Sequence, residues 1–127
     1  MSKRLLIVDQ DADIRLVLRM WLKARGYGVH ELAGGWTVRQ TLHYDVFDGM
    51  ILNLHLPDLD GFAVVKQVRE DRLGLPILVM SGEYSDTQKA NFETLGVQGF
   101  LPKPFDWDKL IAWLSQWVNP PKSNSKH

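Results

Sequence analysis

Five strand-length apolar segments recur at roughly even spacing, and that recurrence restricts the folds open to this chain more than any other feature. They run from Arg4 to Asp9, Tyr27 to Leu32, Gly49 to Asn53, Pro76 to Ser81 and Gly99 to Leu101. Between them lie segments with helical periodicity. In the first, Ala12 to Arg25, the residues Ile14, Val17, Leu18, Trp21 and Leu22 fall at i, i+3, i+4, i+7 and i+8, and Gly26 supplies the stop. A weaker one spans Gly35 to Tyr44. The third, Phe62 to Arg72, sets Phe62, Val65, Val68 and Arg69 on one side and ends before Gly74 and Pro76, which cannot continue a helix. The fourth, Ser85 to Leu95, opens on a Ser85 cap and closes at Gly96. The fifth, Asp106 to Val118, has an Asp106 cap and a stripe of Trp107, Leu110, Ile111, Leu114 and Val118.

Strand–helix alternation repeated five times predicts a (βα)5 unit. The first, third and fourth strands are continuous apolar runs without polar alternation, as parallel strands covered by helices on both faces require. The expected fold is therefore an α/β three-layer sandwich around a parallel five-stranded sheet.

At 127 residues the chain suits one domain, expected over residues 1–118, with enough buried surface to need neither disulfides nor a structural metal. Residues 119–127, Asn-Pro-Pro-Lys-Ser-Asn-Ser-Lys-His, offer no apolar side chain to dock and read as a frayed tail or linker stub. The absence of cysteine excludes thiolate metal sites and thiol nucleophiles. Fifteen Lys plus Arg balance fifteen Asp plus Glu, which argues against direct nucleic-acid contact by this domain. Apolar runs such as Leu5-Leu6-Ile7-Val8 and Ile77-Leu78-Val79-Met80 are about a quarter of the length that spans a bilayer, so no membrane segment is expected. No cleavable leader is expected before the first strand, and the cytoplasm is the expected compartment.

In a doubly wound parallel sheet the functional crevice lies at the carboxyl ends of the strands. The residues there are Asp9 and Gln10 after the first strand, Asn53 ending the third, Ser81 after the fourth, and Lys103 after the fifth, flanked by Pro102 and Pro104. With Leu6-Ile7-Val8-Asp9, Leu56-Pro57-Asp58-Leu59-Asp60-Gly61-Phe62, Val79-Met80-Ser81-Gly82 and Phe100-Leu101-Pro102-Lys103-Pro104-Phe105 in that order, residues 3–118 resemble the receiver domain of two-component response regulators.

The resemblance implies a flavodoxin-like fold with strand order 2-1-3-4-5. It also implies an aspartate at the end of the third strand that takes a phosphoryl group from a sensor histidine kinase. Mg2+ is then held by that aspartate, by an acidic pair after the first strand, and by a backbone carbonyl at the position of His55. Ser81 and Lys103 match the groups that bind the phosphoryl oxygens. Ser81 and Phe100 match the switch pair, in which the aromatic ring reorients as the hydroxyl is drawn to phosphate.

Two positions depart from this pattern. The phosphoacceptor position is Asn53 and the second acidic position is Gln10. A carboxamide is a poor nucleophile and offers Mg2+ only a neutral oxygen. The usual three carboxylates and one lysine sum to −2, whereas Asp9 and Lys103 sum to 0. No cofactor is therefore expected, with Mg2+ relevant only if the metal site is retained or restored. Lys103 is expected to turn to Asp9. Asp11 is expected to place favourable charge in the first turn of helix one and not to substitute as a metal ligand. Asp58, Asp60 and Gly61 read as a turn and helix cap. The four histidines, His30, His43, His55 and His127, show no metal-ligand spacing.

Trp107, Trp113 and Trp117 crowd the fifth helix. Trp113 and Trp117 are either core residues at the helix margin or part of an exposed aromatic patch, and such patches mark partner surfaces. In the family, receivers dimerise on the helix four–strand five–helix five face.

The leading expectation is a receiver domain degenerate at its phosphorylation site and working as a protein-interaction module, not an enzyme. It would bind a kinase, another signalling protein or a second copy through that face. The alternative is an ordinary Mg2+-dependent aspartyl-phosphate receiver in which Asn53 replaces the native Asp by engineering. A weaker one is an anion or small-molecule sensor using Asp9, Ser81 and Lys103.

Overall fold

The computed structural model describes residues 2–71, 74–103 and 105–119. The expected tail beyond Asn119, Pro104 beside Lys103, and Arg72 at the expected end of the third helix lie outside these residues.

The chain forms strands β1 (Arg4–Val8), β2 (Gly28–Leu32), β3 (Gly49–Asn53), β4 (Ile77–Ser81) and β5 (Gly99–Pro102). They alternate with helices α1 (Ala12–Ala24), α2 (Val38–Tyr44), α3 (Gly61–Asp71), α4 (Asp86–Thr94) and α5 (Trp107–Trp113), the last continued by a π-helical turn, Leu114–Val118. All strand pairs are parallel, in the order β2-β1-β3-β4-β5. The (βα)5 sandwich and its strand order are as the sequence implied.

Successive side chains of a strand point to opposite faces, and the core divides accordingly. Leu6, Val8, Met50, Leu52, Ile77 and Val79 face α2, α3 and α4; Leu5, Ile7, Ile51, Leu78, Met80 and Leu101 face α1 and α5. Each such residue, fully buried, contributes roughly 1.5–3 kcal/mol of transfer free energy.

The helix ends follow local chemistry. Asp11 caps α1, accepting from the Asp13 and Ile14 N–H groups. Ser85 and Gln88 form a reciprocal capping box on α4. Gly26 and Gly96 take φ +91° and +72° just past α1 and α4, a region that favours glycine.

Three expectations need correction. The predicted α2 began at Gly35, whereas the helix begins at Val38. The reason is Asp58, which does not cap α3 but reaches across to the preceding loop, accepting from the Gly35 and Trp36 N–H groups at 2.8 and 3.1 Å. Second, Val17 of the α1 stripe and Ile111 of the α5 stripe are exposed, while Leu18, Leu22, Leu110 and Leu114 are buried.

Third, Trp113 is only 5% exposed and belongs to the core, not to a surface patch. Glycines at the starts of β3 and β5 make its bed. A Cβ at Gly49 would lie 3.1 Å from Trp113 Cη2, and one at Gly99 3.1 Å from Trp113 Cδ1. The π turn, closed by Asn119 N–H donating to the Leu114 carbonyl, keeps Leu114 and Val118 buried behind it. Trp107 is half-buried, stacked on Trp21 at 4.9 Å, and Trp117 alone of the three remains exposed, at 40%.

Candidate functional site at the strand ends

Strand register assembles the site. Val8 of β1 lies beside Leu52 of β3, and Asn53 lies beside Met80 of β4. Asp9, Asn53 and Ser81 therefore emerge together at the carboxyl edge of three central strands, and all three are buried. Lys103 is brought to the same edge by its own N–H, which donates to the Ser81 carbonyl at 2.9 Å.

The Asp9 carboxylate is fully shielded from solvent and engaged on both oxygens. Oδ1 accepts from the Asp11 N–H at 2.9 Å and from Asn53 Nδ2 at 3.2 Å. Oδ2 accepts from Lys103 Nζ at 3.0 Å. The expected Lys103–Asp9 pair is present, and its cause is plain: a buried carboxylate and a mostly buried ammonium compensate each other.

Asn53 completes the network. Its Nδ2 serves Asp9, while its Oδ1 accepts from the His55 N–H at 3.3 Å. An aspartate at this position would be acceptor-only and would set a second carboxylate against Asp9. Gln10 and the His55 side chain are exposed at the rim. Ser81 is occupied locally: its hydroxyl donates to the Glu83 carbonyl and accepts from the Glu83 N–H at 3.1 Å. Phe100 is half-buried, its ring 5.3 Å from that of Tyr84 and 6.3 Å from that of Phe92, with Lys89 Nζ 5.4 Å away over its face. Burial raises the Tyr84 hydroxyl above its ordinary range.

The donor set does not match what Mg2+ selects. That ion requires hard anionic oxygens in near-octahedral geometry. Here the pocket has one carboxylate, already taken by an ammonium and two N–H donors, and one neutral amide oxygen. Among the described residues no three His, Cys, Asp or Glu side chains cluster as a metal centre would need. Asp11, whose side chain caps α1, is not turned to the pocket.

Sequence reasoning missed two groups that hold the site. Arg15 Nη1 donates to the Asp9 carbonyl at 2.6 Å, and its Nε pairs with Glu31, which also pairs with Arg19. This ties α1 to β2 behind the acidic residue; the signal was the i, i+4 arginine pair opposite a lone acid on an edge strand. The other is the Asp58 latch. Its signal was the Gly34-Gly35 doublet, since a Cβ at Gly34 would lie 2.7 Å from Asp58 Oδ2. Those N–H groups, Gly35 first, hold the Asp58 carboxyl below its ordinary range.

A doubly wound sheet with an acid, a hydroxyl and a lysine converging at the ends of β1, β4 and β5 defines a receiver-type signalling domain. The profile of the response regulator receiver domain matches residues 5–115, and the chain belongs to that family. The response regulator MprA of Mycobacterium bovis BCG is 35% identical over 112 residues, covering 88% of this chain and 49% of that protein. MprA of Mycolicibacterium vanbaalenii is 34% identical over the same length. The chain thus spans about half the length of the curated relatives it matches. Among solved structures, a response regulator receiver protein from Pseudomonas putida superimposes with a TM-score of 0.86 at 30% identity, over 91% of this chain and 98% of that one. The chemotaxis protein CheY4 of Vibrio cholerae gives 0.86 at 29%, over 93% and 100%. No helix of the described residues is long and apolar enough to cross a membrane.

Proposed function

We propose that this receiver domain does not take a phosphoryl group and works in the cytoplasm as a protein-interaction module of two-component signalling. The observation that carries this reading is the closed network at the strand ends. The Asp9 carboxylate is neutralised by Lys103 and accepts from Asn53 Nδ2, so the pocket lacks both the nucleophile and the anionic set that would draw Mg2+. Its output surface is the α4–β5–α5 face, on whose β5–α5 side Phe100 and Trp117 border a groove of about 310 Å3. Its partners are a sensor histidine kinase or another signalling protein. Incubation with acetyl phosphate and Mg2+, followed by intact mass, tests the reading: the mass stays unchanged.

One observation favours a second reading. Ser81, Lys103 and Phe100 stand at the positions that serve phosphotransfer in the family, which suits an ordinary receiver whose aspartate has been exchanged for Asn53. Under that reading Asn53→Asp alone recovers Mg2+ binding and phosphorylation.

A further inference from the structure

Trp113 carries the one buried side-chain donor of the described residues that has no acceptor. A buried indole N–H is ordinarily hydrogen-bonded, and leaving such a group unpaired costs roughly 1–3 kcal/mol. Two glycines fix where this one points. The benzo edge of the indole faces the core, where a Cβ at Gly49 would lie 3.1 Å from Cη2. The pyrrole edge faces β5, where a Cβ at Gly99 would lie 3.1 Å from Cδ1 and 3.6 Å from Nε1. Gly99 and Trp113 both line the groove on the β5–α5 side, so the unpaired donor is turned to the floor of that groove and not to the core.

The rest of the lining has the same sense. Lys109 is its charged residue, and no Asp or Glu of the described residues borders it. Gln98 Oε1 is already taken by the Ile77 N–H at 2.7 Å and Arg69 Nη2 at 3.2 Å, so that side chain has only donors left. Lys89 adds a second cation, 5.4 Å over the Phe100 ring. Among the described residues neither lysine is paired with an acid. Gln116 and Trp117, three and four residues beyond Trp113, stand over the same side of the helix and are exposed. An incoming group therefore has only surface side chains to turn aside.

Unpaired donors, two cations and aromatic walls are complementary to an anionic acceptor joined to an apolar body. The placement of the cations decides the size of that body. Lys89 is on α4 and Lys109 on α5, helices that pack on opposite faces of the sheet with the β5 edge between them. One small acid does not span both, whereas a chain segment with two acidic side chains does.

We propose that the β5–α5 groove takes an acidic segment of a partner protein. One carboxylate accepts from Trp113 Nε1 beside Lys109, and a neighbouring apolar side chain packs on Phe100 and Trp117. The claim rests on the reading of this side as an output surface, and it names what that surface recognises.

The test is an NMR titration of the 15N-labelled full chain with two blocked pentapeptides, acetyl-Glu-Leu-Phe-Glu-Leu-amide and acetyl-Lys-Leu-Phe-Lys-Leu-amide, without Mg2+ or phosphodonor. The acidic peptide should move the Trp113 indole N–H peak downfield and saturate with a Kd below ~1 mM, while the basic one leaves it in place. Lys109→Gln and Trp117→Ala, both exposed positions, should each weaken binding roughly three- to tenfold with the fold intact by circular dichroism. No movement of the Trp113 peak at ~5 mM acidic peptide overturns the proposal. So does an equal response to both peptides, or an equal affinity for 3-phenylpropionate, which would make the ligand a free small acid. A Trp113 peak that moves on dilution of the chain alone would assign the groove to a second copy and overturn it too. A phosphoryl group gained in the mass test would overturn the reading of the strand-end pocket and leave this titration unchanged. A flat titration with the mass unchanged overturns this inference alone.

Discussion

Lys103 Nζ lies 3.0 Å from Asp9 Oδ2, joining two residues 94 positions apart at the edge of the sheet. With Asp9 fully buried, this contact sets an opposite charge against its carboxylate inside the pocket.

Removing one partner should cost more than removing both. Lys103→Met leaves a buried carboxylate without its counter-charge and should lower stability by about 3–5 kcal/mol in urea unfolding. The double variant Asp9→Asn/Lys103→Met should recover part of that loss. A strictly additive double-mutant cycle would show that the pair is not coupled.

Mg2+ affinity should respond to two positions together. Asn53→Asp alone leaves one carboxylate missing and should give little binding by calorimetric titration. Gln10→Asp/Asn53→Asp restores three carboxylates against one lysine and should bind clearly. A single substitution that binds as well as the double would show that Gln10 is not an independent loss.

Acid should loosen the surface through Asp58, Asp71 and Asp45. Backbone N–H groups hold Asp58 below its ordinary 3.8, and hydrogen bonds from Arg39 and Arg4 do the same for Asp71 and Asp45. A carboxyl depressed on folding contributes stability that is fully present above its unfolded value and is lost as pH falls through the folded one. Thermal stability should therefore stay flat with respect to these groups above about pH 5 and fall below about pH 4. Asp58→Asn should lower it at neutral pH and flatten the acid limb; an unchanged limb would remove Asp58 from the account.

How much of this was legible in the sequence depends on the range of the cause. Strand positions, the Ser85 and Asp106 caps and the stop at Gly96 follow from neighbours a few residues away, and the structure has them where the sequence places them. The Asp9–Lys103 pair was also inferable, because removing two carboxylates from a known constellation leaves one acid and one base. The Asp58 latch and the bed of Trp113 were not. Both depend on glycines far along the chain, Gly34 for one and Gly49 with Gly99 for the other, and no local periodicity reports such contacts.

The tryptophans of α5 should separate cleanly. Trp113→Ala empties a core site and should cost about 3–5 kcal/mol, whereas Trp117→Ala should stay within about 0.5 kcal/mol of the unaltered chain. Urea unfolding of the two variants checks the assignment, and similar losses would contradict it.

Arg69 is the second structural cation to test. It donates to the carbonyls of Leu75, Leu95 and Gly96, joining the ends of α3 and α4 to the start of β4, and burial lowers its guanidinium from the ordinary range. Arg69→Met should destabilise by about 2–4 kcal/mol, since several carbonyls lose a charged donor at once. The chemical shifts of Asp9 and Lys103 should stay unchanged, and a shift at the pocket would show that the two ends of the sheet communicate.

Intact mass after incubation with acetyl phosphate and Mg2+ bears most directly on the central claim, with Gln10→Asp/Asn53→Asp as the positive control. The account predicts no added phosphoryl group on the unaltered chain and a base-labile one on the control. A base-labile phosphoryl group on the unaltered chain would contradict it.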